Sequence, residues 1–286
     1  MRKLKIQRKS LIAVLFLLIA AMTVYLIIAN KAPGTTRITV VSEELPAKLD
    51  GLRIVQISDL HNAEFGNGNA KLLEMIVAEK PDIILLTGDI YDERKGSFES
   101  PLEFAVRAAE IAPTYFIAGN HEAAADDGSK FIEALKNSKI TVLDNRHTDF
   151  EKDGAVITLL GIDDPSSLKT AQSSVDKASS MLEKAAADVS GFTVLLAHRP
   201  ELIETYAEFG VDLVFSGHAH GGQFRLPFIG GLYAPHQGYL PEYDSGLYSV
   251  GDTELIVSRG LGNSSFPLRI FNSPEIISVT LKCTEA

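Results

Sequence analysis

The chain has 286 residues, of which 45% are hydrophobic and 22% are charged, with a formal net charge of −10. This length and balance allow a large α/β domain with a full hydrophobic core, and they argue against an intrinsically disordered chain. The acidic charge also argues against general nucleic-acid binding, because phosphate backbones need a basic surface.

The first 31 residues contain one long apolar run. Leu11 to Ala29 are 19 residues without a charge, and a helix of that length, at about 1.5 Å per residue, roughly spans the hydrocarbon core of a bilayer. Five Lys or Arg residues precede the run and only Lys31 closely follows it. The positive-inside tendency therefore predicts a cytoplasmic basic tail at 1–10, a single-pass signal anchor at 11–29 in the cell membrane, and an extracytoplasmic soluble domain.

A cleaved signal peptide is the alternative explanation of this segment. Its apolar region usually runs about 7–15 residues, and the exit Ile27-Ile28-Ala29-Asn30 lacks a small-x-small cleavage site. We therefore favour an uncleaved anchor. Residues 30–50, which contain Pro33-Gly34 and Pro46, are interpreted as the tether and first edge of a soluble domain over residues 51–286.

From residue 52 onward, short β-rich apolar runs alternate with amphipathic stretches. The pattern predicts a mostly parallel sheet covered by helices. The tail has strand patterns and turns without a helix pattern, so we expect a second, more antiparallel sheet packed on the first. The predicted strands are 52–58, 82–87, 114–118, 155–160, 192–197, 211–216, 246–250, 254–258 and 275–281, and the predicted helices are 69–79, 98–111, 129–136, 173–187 and 200–209.

Acidic, amide and histidine side chains follow five of these strands. Ligands bind outside the carboxyl ends of strands in open α/β sheets, so we expect the five loops to meet at one edge. Residues i and i+2 on extended backbone point the same way, and preceding glycines allow sharp turns. The segments are Asp59-Leu60-His61, Gly88-Asp89, Gly119-Asn120-His121-Glu122, Ala197-His198-Arg199 and Gly217-His218-Ala219-His220.

Each segment alone has an ordinary explanation, because acids, asparagines and histidines are common in surface turns. Chance placement explains the whole set poorly, since five of the seven histidines lie at predicted strand ends. The ordered series, over residues 50–285, resembles the calcineurin-like metallophosphoesterases. The run from Gly217 to Gln223, GHAHGGQ, also resembles that of a bacterial subgroup that is often membrane-anchored.

The resemblance implies a four-layer α/β/β/α sandwich of two mixed sheets, the metallophosphoesterase fold, preceded by one N-terminal transmembrane helix. It also implies two divalent metal ions, and a shell of imidazoles and carboxylates suits Mn, Fe or Zn. Asp89 would bridge the two ions. The other implied ligands are Asp59, His61 and His220 for one ion, and Asn120, His198 and His218 for the other.

His121 resembles the catalytic histidine of the family, which stabilises the transition state or protonates the leaving oxygen. Asp92 resembles the acid that orients this histidine in related protein phosphatases, and such a partner would raise the histidine's pKa. Those phosphatases have an arginine directly after the acid, whereas this chain has Glu93 and then Arg94. This departure argues against phosphoprotein substrates.

Residues beside the motifs are candidate substrate contacts. Arg199, with Arg225 as an alternative, is expected to bind a phosphate. Gln223 lies near a Pro-Gly-rich stretch with Phe228 and Tyr239, and together they are expected to form a lid or apolar wall beside the metals. The remaining histidines, at positions 147 and 236, are expected to be structural.

The predicted function is a phosphoesterase that depends on two metal ions and hydrolyses phosphate mono- or diesters by attack of a metal-bridging hydroxide. The expected substrate is a small-molecule or lipid phosphate ester, the membrane is the expected partner of the N-terminal helix, and no nucleic-acid binding is expected. Two alternatives stay open: a pyrophosphatase acting on nucleotide-diphosphate lipids or sugars, and a non-catalytic metal-binding scaffold. His121, which a purely structural metal site would not need, favours catalysis.

Overall fold

The computed structural model describes residues 8–264 and 266–284. A first helix, α1, runs from Arg8 to Lys31. Its segment Ser10–Lys31 is long and apolar enough to cross a membrane, and it is not buried against the rest of the described chain. Most of the basic tail predicted for residues 1–10 lies outside the described residues.

Two six-stranded sheets, each covered by helices on one face, follow α1. The strands are β1 Gly34–Ser42, β2 Arg53–Ile57, β3 Ile83–Thr87, β4 Thr114–Ile117, β5 Ile140–Val142, β6 Arg146–Lys152, β7 Ala155–Ile162, β8 Thr193–Ala197, β9 Leu213–Ser216, β10 Gly246–Val250, β11 Thr253–Val257 and β12 Glu275–Cys283. The helices are α2 Ala70–Glu79, α3 Glu99–Ala108, α4 Asn120–Ala124, α5 Gly128–Lys136, α6 Ser174–Ala185 and α7 Ile203–Glu208.

Both sheets are mixed. The first has the strand order β1-β12-β2-β3-β4-β5, in which β2 to β5 are parallel, β12 is antiparallel to β2, and β1 is parallel to β12. The second has the order β10-β11-β9-β8-β7-β6, in which the four central strands are parallel and both edge strands are antiparallel to their neighbours. The apolar strands β2, β3, β4, β8 and β9, which are buried almost throughout, therefore each have two partner strands.

The central strands are buried on both faces because their side chains alternate between two cores. In β3, Ile83 and Leu85 pack between the two sheets, whereas Ile84 and Leu86 pack against the helices of the first sheet. The same alternation occurs in β8, where Val194 faces the other sheet and its neighbour faces α6 and α7. These three layers of core confirm the predicted four-layer α/β/β/α fold.

Every predicted strand and helix is present, and each end lies within three residues of its predicted position. Three strands were not predicted. One is an edge strand at residues 34–42, within the segment interpreted as the tether and first edge of the soluble domain. β1 was missed because its partner β12 lies about 240 residues away, as in the pair Gly34 and Glu275. The others are the short β5 and the polar β6.

Gly161, in β7, occupies a position where the sheets leave no room for a side chain. A Cβ atom there would lie 2.3 Å from the Cβ of Leu143 and 2.8 Å from the Cγ2 of Ile117. We expect Gly161→Ala to lower the free energy of unfolding by about 1–3 kcal/mol, the usual effect of overpacking a core. Denaturant unfolding of the detergent-solubilised protein measures this. Gly34→Ala, in β1 with open space around its Cβ position, is the matched control, and an equal loss in both variants would contradict the explanation.

Candidate metal centre

The five predicted segments follow β2, β3, β4, β8 and β9, and all lie at the carboxyl ends of these strands. They meet because three of the strands belong to the first sheet and two to the second, and the two sheets pack face to face. Six of the predicted ligands are at most 5% exposed, and Asn120 is partly buried. The six buried ligands are Asp59, His61, Asp89, His198, His218 and His220.

Two groups of three side chains each bring one ligand atom apiece within 4.8 Å of one another. In the group of Asp59, His61 and His220, the Nε2 atoms of the two histidines are 3.2 Å apart, and Nε2 of His220 lies 3.4 Å from Oδ1 of Asp59. Both imidazoles thus direct a ring nitrogen at the same small space. This is the arrangement expected of ligands to one ion.

The second group consists of Asp89, His198 and His218. Nε2 of His198 lies 3.2 Å from Oδ2 of Asp89, and the same carboxylate oxygen lies 3.6 Å from Nε2 of His61 in the first group. Asp89 therefore stands between the two groups, where a bridging carboxylate has to be.

The residues present fit divalent metal ions. Oδ1 of Asn120 and Nε2 of His198 are buried without a hydrogen-bond partner, and a buried polar atom left unpaired costs about 1–3 kcal/mol. Imidazole nitrogens and carboxylate or amide oxygens are the donors that first-row divalent metals accept. A cation between the two groups would satisfy the orphaned atoms.

The electrostatics of three ligands agree with this fit. Burial lowers the pKa of His218 and His220 well below 6.5, and a neighbouring histidine lowers each further, so both are neutral imidazoles with a lone pair for a metal. Burial alone would raise the pKa of Asp89, but His198, His61 and His121 lower it well below 3.8. Asp89 is therefore ionised. His198 differs: burial lowers its pKa, but Asp89 and Asp59 outweigh burial and raise that pKa to about 10, so this imidazole has to lose a proton before it can bind a metal.

Five of the seven predicted ligands have left-handed backbone, which is rare outside glycine and costs about 1–3 kcal/mol at each such site. The argument that extended backbone aims Asp59 with His61, and His218 with His220, is therefore wrong. Asp59 and His61 do converge, whereas His218 and His220 belong to different groups. Sharp turns aim them instead. The φ angles are 51° at Asp59, 46° at His61, 53° at Asp89, 64° at His218 and 48° at His220.

The motif glycines are needed mainly for close approach. Only Gly88, with φ of 90°, has the positive angle expected of a turning glycine. A Cβ on Gly119 would lie 2.3 Å from Oδ1 of Asp89, and a Cβ on Gly217 would lie 2.3 Å from Oδ2 of Asp59. A side chain at either position would displace a ligand.

Glu122 is a buried residue to which the sequence assigned no role. Its Oε2 accepts the backbone N–H groups of Asp89 and Gly119, and its Oε1 accepts that of Tyr91, each at 2.9 Å. Burial and the charge of Asp89 raise the pKa of Glu122 to about 7. The backbone donors oppose this shift, because their hydrogen bonds favour the ionised carboxylate. This carboxylate holds the turn after β3 against the turn after β4.

His121 is only 16% exposed and lies beside Asp92 and Arg94. Its Nδ1 is 3.5 Å from Oδ1 of Asp92, but Asp92 binds Arg94 more closely, with Nε at 2.8 Å and Nη2 at 2.7 Å. Burial lowers the pKa of His121 below 6.5 despite Asp89 and Asp92. Asp92 thus raises this pKa as expected, but burial outweighs its effect, so the acid alone does not keep the ring protonated.

Arg94 is at the site after all. Its Nη2 lies 3.2 Å from Nδ1 and 3.3 Å from Nε2 of His121, and its side chain is 49% exposed. The two-residue spacing from Asp92 was the available signal, because the Asp92 carboxylate also accepts the backbone N–H of Arg94. The displacement by one residue along the chain does not remove the arginine from the centre.

The candidate substrate contacts are engaged elsewhere. Arg199 is 5% exposed, and its guanidinium donates to both carboxylate oxygens of Asp164, at 2.7 and 2.9 Å. The Gln223 amide donates to the carbonyl oxygens of Phe266 and Leu268. Phosphate binding by Arg199 and Gln223 stays a prediction, and in this structure both side chains have a structural partner.

Two residues of the Pro-Gly-rich stretch lie differently from expectation. Nδ1 of His236 is 2.9 Å from Nε2 of His218. His236 therefore lies beside the group of candidate ligands. Phe228 is fully exposed at the tip of a small hairpin formed by Arg225–Leu226 and Gly230–Gly231. Phe228 thus packs against nothing in the described chain, and a lid or wall formed by this stretch stays a prediction.

Comparisons with known proteins agree with this geometry. A family model described as calcineurin-like phosphoesterase matches residues 52–222. The uncharacterized metallophosphoesterase YkuE of Bacillus subtilis is 32% identical over 87% of this chain and 86% of its own length. Phosphodiesterase YaeI of Escherichia coli is 30% identical over 80% of this chain and 82% of its own. A Danio rerio protein named transmembrane protein with metallophosphoesterase domain is 31% identical over 92% of this chain. The match covers 61% of the length of the D. rerio protein.

Asp89 offers a direct test of the shared centre. We expect the metal-stripped protein to take up two Mn or Zn ions per chain, measured by elemental analysis after gel filtration, with a rise in melting temperature because the ions bind only the folded state. Asp89→Asn should bind fewer ions and lose that rise. Asp252→Asn, at an exposed turn acid, should behave like the parent, and unchanged uptake in Asp89→Asn would rule out the bridging role.

Glu122→Gln tests whether the Glu122 carboxylate holds the turn after β3 against the turn after β4. A glutamine keeps one carbonyl oxygen and turns an NH₂ group toward at least one of the three N–H donors, which leaves a buried donor unpaired at a cost of about 1–3 kcal/mol. We expect lower stability in denaturant and weaker metal affinity by titration calorimetry. Glu110→Gln, an exposed glutamate, is the control, and parental metal affinity in Glu122→Gln would refute the role.

Proposed function

The chain belongs to the calcineurin-like phosphoesterase family, and on that premise we propose that it hydrolyses phosphate mono- or diesters at a centre of two divalent metal ions. One observation carries the proposal: two adjoining groups of buried ring nitrogens and carboxylate oxygens share Asp89 between them. The E. coli relative named a phosphodiesterase supports diesters as substrates.

These distances support the ligand assignment that we propose. Asp59, His61 and His220 would hold one ion, and His198 and His218 the other together with Asn120, whose Oδ1 is otherwise unpaired. Two bound divalent ions would polarise the phosphoryl group and supply a nucleophile at neutral pH. The surrounding protein contributes shape and exclusion of water, because nearly all of these ligands are buried.

His121 and Arg94 are the residues placed to act on the substrate itself. Both lie at the outer side of the ligand groups, where Asp92 holds the Arg94 guanidinium through two of its nitrogens. A fixed cation there stabilises negative charge that grows on a phosphoryl group. His121, less exposed than Arg94, is positioned to donate a hydrogen bond to a phosphoryl or leaving oxygen.

Asp92 supports both parts of the centre. Its Oδ2 lies 3.3 Å from Nδ1 of the proposed ligand His61, a buried nitrogen with no well-oriented hydrogen bond of its own, and its Oδ1 lies 3.5 Å from Nδ1 of His121. A carboxylate on the far nitrogen of a ligand histidine fixes the ring orientation and its tautomer. Asp92 thus acts as a positioning residue for a metal ligand as well as for Arg94 and His121.

We place the enzyme at a membrane, with α1 as an uncleaved single-pass anchor and the domain on the extracytoplasmic side. The length and hydropathy of Ser10–Lys31 support the anchor, and so does the name of the D. rerio relative. The excess of basic residues before the apolar run supports the sidedness.

The test is hydrolysis by the full-length protein in detergent. After chelation, Mn, Zn, Fe or Mg is returned singly, and p-nitrophenyl phosphate is compared with bis-p-nitrophenyl phosphate. We expect metal-restored release of p-nitrophenol that Asp89→Asn lacks, because the shared carboxylate is needed to hold both ions. A folded protein that binds two ions and hydrolyses neither ester would overturn the proposal in favour of a metal-binding scaffold.

His121→Asn separates catalysis from metal binding. We expect kcat to fall by about 10²–10⁴, the usual contribution of a positioned proton donor, while two ions per chain remain bound. His147→Asn, at an exposed histidine of β6 that contacts the Ala185 carbonyl, should keep full activity. Loss of metal from His121→Asn would instead mean that the ring is a ligand.

A further inference from the structure

The metal centre lies at the edge of the domain that adjoins α1. α1 ends at Lys31 and β1 begins at Gly34. β1 is parallel to β12, and β12 is antiparallel to β2, so the carboxyl ends of β2 to β4 lie beside the first residues of β1. The far end of the nine-residue β1 is about 30 Å away, at roughly 3.3 Å per residue. The centre is therefore on the same side as the end of the apolar helix.

The domain is also fastened to α1 in one orientation. The Asn30 side chain donates to the backbone carbonyl of Arg269 at 2.8 Å and accepts the backbone N–H of Arg269 at 2.7 Å. One and a half turns earlier, the ring of Tyr25 lies 5.8 Å from that of Phe271, centroid to centroid. With only two residues between helix and strand, these contacts prevent the domain from swinging away from the helix end.

The segment that touches α1 also touches the metal ligands. The Arg269 guanidinium is buried, and its Nη2 lies 3.3 Å from Nδ1 of His220. Five residues earlier, Oγ of Ser264 lies 3.4 Å from Nε2 of His121. Arg269 and Ser264, which are only five residues apart, therefore connect the end of α1 with His220 and His121.

Large apolar side chains are exposed around this segment. Phe266 and Phe271 are about half exposed. At the hairpin tip, Phe228 is fully exposed and Ile229 is mostly exposed. The hairpin joins the segment directly, because Phe224 pairs with Ile270 and packs edge-on against Phe266. We call Phe228, Ile229, Phe266 and Phe271 the apolar rim.

A mainly apolar groove lies between α1 and residues 267–268, with Thr23, Asn30 and Lys31 as its polar lining residues. It has a volume of about 430 Å³, and its apolar lining residues are Leu26 and Ile27 of α1 together with Pro267 and Leu268. Single exposed hydrophobic residues are ordinary, but a contiguous set is typical of an interaction surface. This one is continuous with a helix whose own apolar surface needs a bilayer.

We infer that the apolar rim lies in the surface of the bilayer that α1 crosses, and that the metal centre takes phosphate esters of lipids from that bilayer. The inference rests on the membrane anchoring and the activity proposed above. Aromatic and aliphatic side chains bury favourably at the depth of the headgroups. Arg94 and His121 then face the layer in which lipid phosphates lie, and an acyl chain has the groove beside α1.

The first test measures the depth of the rim. Full-length protein carrying Cys283→Ser and Phe228→Cys is labelled with the fluorophore NBD and placed in nanodiscs of phosphatidylcholine and phosphatidylglycerol in equal parts. We expect a blue shift of the emission and quenching by spin-labelled lipid. The matched control is Val41→Cys, which is 57% exposed at the far end of β1 and should report water.

Leu18→Cys, in the middle of α1, distinguishes failure of the inference from failure of the anchor. A buried label at position 18 with a water-exposed label at 228 would overturn the inference and leave the anchor standing. Water-exposed labels at both positions would overturn both. Equal burial at 228 and 41 would show non-specific adsorption and would also overturn the inference.

The second test concerns the substrate. Phe228→Ser combined with Ile229→Ser removes apolar surface at exposed positions outside the metal centre. We expect severalfold slower hydrolysis of a lipid-borne p-nitrophenyl phosphodiester in the nanodiscs, with unchanged hydrolysis of water-soluble bis-p-nitrophenyl phosphate. Unchanged rates on both substrates, or equal losses on both, would contradict delivery from the bilayer, whereas a parent inactive on both would refute the proposed activity itself.

Discussion

The buried carboxylate of Asp59 joins the two sheets at the edge where the candidate ligands lie. It belongs to the turn after β2, and both its oxygens accept the backbone N–H of His218 from the turn after β9, at 3.1 and 3.2 Å. Two glycines pack directly on this side chain, Gly217 and Gly260, and a Cβ at either would lie within 2.6 Å of it. Because the sheets approach so closely, histidines from one sheet reach the carboxylates of the other.

Without a cation, the arrangement of side chains at this centre is unfavourable for folding, although the same arrangement suits metal binding. Left-handed ligands, facing ring nitrogens and an unpaired amide oxygen all oppose folding in the absence of a cation. Glu122 partly offsets this through three backbone hydrogen bonds. Ions that bind only this arrangement would stabilise the whole domain, so metal content and folding stability are expected to be linked.

Much of the fold can be predicted from patterns among residues that are close together in the sequence. Continuous apolar strands such as Ile83–Thr87 alternate with amphipathic helices, and these patterns need only neighbouring residues to be recognised. β1 was missed because it is half exposed and gains its hydrogen bonds from β12, at the other end of the domain. Its place next to β12 is what brings the apolar helix and the metal edge together.

By itself the sequence determined the fold class and family, and which residue types occur at the strand ends. These properties depend on the order of residues along the chain. Only the tertiary structure decided which partner each side chain has: Arg94 lies against His121, whereas Arg199 pairs with Asp164. The physical reason is that a side chain contacts whatever groups the fold brings near it, and His121 and Asp164 reach these two arginines from other parts of the chain.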